Sequence, residues 1–259
     1  MLTRSAAFTM LFALTPVFPA LAQPAGNVAQ INTQTPGRGM AEKYEAARKK
    51  HMGWHKAQKD GWTWLTWEVV SGESSGSYLT GTFGRAWKDF DGRDKFEQQD
   101  EADVKKTVGP TVERFFTSYY VRRADLSLNQ PTNDPPSAYS ALTYFRVRPE
   151  GVNEFVEAVK KINEGIKKTN YPLAGPSAWY QLVNGGEGPL FVLAMGRANW
   201  AAFAPNEKTL DQMMEEAYGK EQGAAILATL RKSYHSARTE TLKYRPDLSY
   251  LPAKETASR

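Results

Sequence analysis

The chain has 259 residues, 41% of them apolar and 12% aromatic, a formal charge of +5, and no cysteine. Disulfides, thiolate metal sites and a thiol nucleophile are therefore excluded, while the apolar share is enough for real cores. The basic residues are interleaved with acids, as around Lys49-Lys50, Lys105-Lys106 and Lys160-Lys161, so they read as solvated helix faces and no nucleic-acid partner is expected.

Residues 1–22 read as a secretory signal peptide. Arg4 is a short basic start, an apolar run extends from Ala6 to Phe18, and Ala20-Leu21-Ala22 precedes Gln23. The run falls short of the roughly 20 residues a membrane span needs. A soluble, periplasmic or secreted chain with no membrane span after cleavage is expected. Residues 27–127 then form a first unit. Val28–Thr33 reads as a weak strand and Met40–Ala57 as a helix. Trp62–Val70 and Ser77–Trp87 read as a hairpin, Glu97–Phe116 as a helical region broken at Pro110, and Ser118–Arg123 as a strand. Residues 128–137, LNQPTNDPPS, are a linker by composition.

Residues 138–250 repeat the order more clearly. Ala141–Val147 is a β-branched and aromatic strand. Val152, Val156, Val159, Ile162 and Ile166 recur at helical steps. Ser177–Val183 and Leu190–Ala198 make a hairpin around Asn184–Gly188. A helical stretch runs from Thr209 to about Tyr234, and Ala237–Tyr244 is a last strand. Residues 251–259 are a tail.

The two units are related by internal repetition. Glu45-Ala46, Trp67 and Gly84-Arg85-Ala86 recur 112 positions on as Glu157-Ala158, Trp179 and Gly196-Arg197-Ala198; Arg123-Ala-Asp-Leu-Ser127 recurs 122 positions on as Arg245-Pro-Asp-Leu-Ser249. About ten extra residues are expected near Ala217–Ala225. The fold class is α+β: two tandem ferredoxin-like βαββαβ units. Both helices of such a unit cover one sheet face, so the other faces are expected to pack on each other. This order and repetition resemble the dimeric α/β-barrel superfamily, which includes small monooxygenases, haem-handling proteins and NIPSNAP-type proteins. The resemblance implies an intramolecular barrel and a monomer, because the second sheet is supplied covalently. It transfers no residue roles, since fold does not imply function.

If the sheets face each other, strand alternation selects the lining. Trp62, Trp64 and Glu68 are expected to face inward, with Leu65, Trp67 and Val69 under the helices. Tyr180 falls at the position of Glu68. Tyr144 and Arg146 share a face of their strand, and Glu240 lies on the adjoining one, so an Arg146–Glu240 ion pair is expected. A small, partly apolar ligand among these residues is the first functional reading. A haem-binding or cofactor-independent monooxygenase-like enzyme is the second, and a structural protein with a filled barrel the third. No cofactor is required by any motif. His51 and His55, four apart on one helix, have a spacing that a metal or haem iron could use, although no third ligand stands at a helical spacing from them. His235 is expected at a helix end, and Arg85 and Arg197 are expected to pair with Asp125 and Asp247.

Overall fold

The computed structural model describes residues 26–129 and 136–252. The signal-peptide segment, most of the linker and most of the tail lie outside these residues. The first repeat runs β1 (Val28–Pro36), α1 (Ala41–Ala57), β2 (Leu65–Ser71), β3 (Tyr78–Arg85), α2 (Lys88–Asp91), α3 (Asp94–Lys106) and β4 (Val112–Leu128). The second runs β5 (Tyr139–Val147), α4 (Val152–Lys168), β6 (Ser177–Asn184), β7 (Leu190–Arg197), α5 (Leu210–Tyr218), α6 (Lys220–Lys232) and β8 (Tyr234–Tyr244).

All eight strands close into one antiparallel barrel in the order β1-β3-β2-β8-β5-β7-β6-β4. Each repeat contributes a ferredoxin-like sheet, and the two seams, β2 with β8 and β4 with β6, leave no open edge. The seams explain why β4 is far longer than the Ser118–Arg123 expected. Its first half pairs with β1 and its second half with β6 of the other repeat. The expected single helix after β7 is two, split at Gly219, whose φ of 83° is in the left-handed region. His235 consequently lies in β8, not at a helix end.

The repeated Arg-x-Asp-Leu-Ser motif builds both seams. Arg123 bonds Asp125 and Arg245 bonds Asp247 within the motif, so the expected pairing with Arg85 and Arg197 does not form. Arg85 instead donates to Thr82 and lies over the Trp62 ring. Ser127 Oγ accepts from the Trp179 N–H on β6, and Ser249 Oγ from the Thr66 N–H on β2, each at 2.9 Å. Leu126 and Leu248, the motif's apolar members, are fully buried.

This symmetry makes Thr66 the counterpart of Trp179, and Trp67 the counterpart of Tyr180, one residue away from the match by tryptophans. The strand pairs agree: Trp67 faces Tyr244, and Tyr180 faces Arg122 one place before the motif. A one-residue slip exchanges the two faces of a strand, and the expected lining is accordingly reversed on β2, while Tyr144 and Tyr180 face inward as expected. Trp67 and Val69 pack with Leu142, Val192 and Leu242 of the other repeat, so they fill the barrel. Trp62, Trp64, Thr66 and Glu68 lie outside it, on the helix side. Trp179 packs with Phe155 of α4, also outside. Aliphatic and aromatic side chains from both repeats pack inside the barrel.

Candidate functional site

The two repeats cover their sheets differently. Helices α1 and α4 are both 17 residues long, and their buried positions align one residue short of the sequence match: Tyr44 with Phe155, Arg48 with Val159. In α4 the following inward positions are Val159, Ile162 and Ile166; the isoleucines pack against Met213 and Met214 of α5. In α1 the same positions carry Arg48, His51 and His55, all of them buried. The first repeat has polar groups where the second has an apolar seam.

Local folding brings partners to these histidines. Helix α1 ends in a Schellman turn, with Lys59 left-handed (φ 54°), Lys59 N–H on Lys56 O and Asp60 N–H on His55 O. The turn folds Asp60 back onto the helix, where its Oδ2 lies 2.9 Å from His55 Nδ1. Asp60 also accepts from Trp64 Nε1, the Trp62 N–H and Arg93. Helix α3 crosses α1 and presents Asp100 and Asp103, three apart and so on one face. Asp103 Oδ2 is 2.7 Å from His51 Nδ1. A carboxylate can only accept, so each Nδ1 carries a proton and each Nε2 is the ring atom turned toward the other histidine and Asp100. The two Nε2 atoms are 3.2 Å apart, and Asp100 Oδ1 lies 3.3 Å from one and 3.2 Å from the other. Burial holds His55 below the usual histidine value, against the opposing pull of Asp60. Among the described residues, His51, His55 and Asp100 form a group whose ligand-type atoms are close enough to share one ion.

Aromatic rings fix this cluster. Trp54 stacks on His51, Tyr250 stacks on His55, and Phe96 lies against Trp54. A cleft of about 430 Å³ adjoins it, with an acidic wall of Asp94, Glu97, Asp100 and Glu101 on α3, facing Trp64, Phe115 and the polar Gln30, Asn32 and Thr117 of the sheet.

The sequence-derived site residues do not converge in one place. Trp64 borders the cleft, Trp62 packs with Trp64 and Phe90, and Glu68 bonds Arg245. Tyr144 and Tyr180 are inside the barrel. Glu240 is buried and lies near Arg238 and Tyr144; the expected Arg146–Glu240 pair is absent because register sets Arg146 opposite Ser236, and Arg146 bonds Glu187 at the surface. The third group of the histidine cluster was not legible in sequence. It comes from a helix 45 residues away, and no spacing rule links α1 to α3.

No family model matches the chain, and no curated protein matches it in sequence. Solved structures do match in fold. An anthrone oxidase-like protein superposes with a TM-score of 0.58 at 15% identity, covering 90% of this chain and 97% of that one. A candidate monooxygenase from Lactobacillus acidophilus gives 0.54 at 11% identity, covering 88% and 97%. A chlorite dismutase variant from Candidatus Nitrospira defluvii, in complex with cyanide, gives 0.51 at 10%, covering 86% and 92%. This chain shares the overall fold of these proteins along almost their whole length. At such identities the likeness is one of fold.

Proposed function

We propose that this chain is an exported, small-molecule enzyme of monooxygenase-like type, with its reaction centre at the histidine–carboxylate cluster of the first repeat. The observation that carries the reading is the difference between α1 and α4. Burying an arginine and two histidines costs stability that Val159, Ile162 and Ile166 do not cost at the same positions. Fold-level likeness to the monooxygenase and the anthrone oxidase-like protein supports the reaction class. The cleft supports the substrate class: Trp64 and Phe115 offer apolar walls, and Gln30, Asn32 and Thr117 offer hydrogen bonds to a carbonyl or hydroxyl. Export rests on Arg4, the apolar run and Ala20-Leu21-Ala22.

Anthrone is a suitable probe. Oxygen uptake on adding it to the purified chain, lost in the His51→Ala/His55→Ala variant, is the expected result. The absence of both oxygen uptake and quenching of tryptophan fluorescence by anthrone or related phenolic ketones would sink the reading. Haem is a weaker reading. Nitrogens 3.2 Å apart cannot lie on opposite sides of one iron, so they do not serve as paired axial ligands. A ligand within the barrel has one observation in its favour, the buried Glu240 carboxylate with Oε1 unbonded near Tyr144.

A further inference from the structure

We propose that His51 Nε2, His55 Nε2 and Asp100 Oδ1 bind one divalent first-row transition metal as a facial triad. This rests on the reading that the first-repeat cluster is the reaction centre, and it names the cofactor of that centre. Three observations carry it.

The first is shape. The three atoms form a nearly equilateral triangle with edges of 3.2, 3.2 and 3.3 Å. An ion about 2.1 Å from each would see them at angles of about 100°, between octahedral and tetrahedral values. Two imidazoles and one carboxylate in this arrangement suit iron(II) and its neighbours better than magnesium or calcium, which take oxygen ligands.

The second is support. Each ligating imidazole donates its Nδ1–H to a carboxylate, His51 to Asp103 and His55 to Asp60. Such an outer carboxylate sets the tautomer and raises the basicity of the ligating nitrogen. Asp60 is held in turn by Trp64 and Arg93.

The third is the unmet need at the centre. Asp100 Oδ1 is buried without a hydrogen bond although two imidazoles lie within 3.3 Å. Three possible ligand atoms converge on one point, and a single proton could join only two of them. A dication satisfies all three. Asp100 also borders the cleft, so an ion bound there stands beside the proposed substrate space.

The test uses the purified full-length chain, stripped with EDTA, with zinc(II) titrated by calorimetry and cobalt(II) followed by its visible d–d absorption. One site per chain is expected, with affinity lowered at least tenfold in Asp100→Asn and about tenfold in Asp103→Asn. Both aspartates are on the half-exposed face of α3, so these variants keep the test informative if the histidine variants do not fold. Asp125→Asn, at the β4–β6 seam of the other side, is expected to bind as the parent does. A folded chain, judged by circular dichroism, that takes up neither ion would overturn the proposal. So would binding that Asp100→Asn leaves unchanged, and an imidazolium pair seen by nitrogen NMR in the presence of zinc(II). The two readings fail separately. Metal binding with no reaction or ligand in the cleft removes the enzyme and leaves the metal. Oxygen uptake that survives EDTA but not His51→Ala removes the metal and leaves the centre.

Discussion

Asp60 accepts hydrogen bonds from four groups, His55, Trp64, Arg93 and the Trp62 N–H. Burial pushes its carboxyl up, but the bonds from His55, Arg93 and Trp64 outweigh that and hold it well below the usual range. Replacing it by alanine leaves the indole N–H of Trp64 and the Nδ1–H of His55 without partners, and Arg93 with Glu97 alone. Asp60→Ala is expected to cost about 3–5 kcal/mol in chemical denaturation, and Asp60→Asn less, because the amide oxygen still accepts. Asp247 gives a prediction for acid. Its bonds from Arg245 bring its pKa from 3.8 to about 2. A carboxylate depressed in the folded state adds stability above its unfolded value and loses it as pH falls through the folded one. Between about pH 4 and pH 2 the parent should therefore lose stability more steeply than Asp247→Asn, measured by thermal melts across that window. The two slopes coinciding would contradict the assignment. Screening at this partly exposed pair keeps the effect modest.

Elements meet through backbone groups that only a neighbour can satisfy. Ser127 and Ser249 each accept a strand N–H from the other repeat and donate back to the carbonyl of the motif arginine. Ser127→Ala and Ser249→Ala should each cost about 1–3 kcal/mol, since each leaves a strand N–H unmet. The double variant should show the sum of the two, because the seams share no partner. At the α5–α6 junction Gly219 has φ 83° and ψ 160°, a conformation open essentially to glycine alone. Nothing lies within 4 Å of an added Cβ, so Gly219→Ala tests backbone strain without a clash. About 1–3 kcal/mol of destabilisation is expected in urea unfolding. The element order was readable because hydrophobic periodicity is local: the isoleucines and valines of α4 mark their helix directly. The break at Gly219 was less so, since glycine inside a helical pattern is often tolerated.

At the scale of the molecule, the barrel is one cooperative object. Its interior draws on strands of both repeats, and both edges of each sheet are closed by the other. The chain expressed as two separate halves should leave each half with two bare edges and an exposed apolar face, and so unfolded or aggregated alone. Co-expression of the halves should restore a soluble complex, which size-exclusion chromatography would detect. Two halves that are each soluble and folded would contradict this.

The sequence by itself determined the α+β class, the doubled βαββαβ order and the two seam motifs, because these rest on periodicity and on repetition within one chain. It also marked His51 and His55, whose spacing puts them on one side of a helix. Only the tertiary structure decided which face of each strand turns inward, because alternation distinguishes two faces without naming them, and a shift of one residue placed Trp62, Trp64 and Glu68 on the helix side. It alone decided the partners of the histidines. Asp60, Asp100 and Asp103 reach them through a helix-ending turn and a helix crossing, and the Coulombic and hydrogen-bonding forces that join them act across space without regard to distance along the chain.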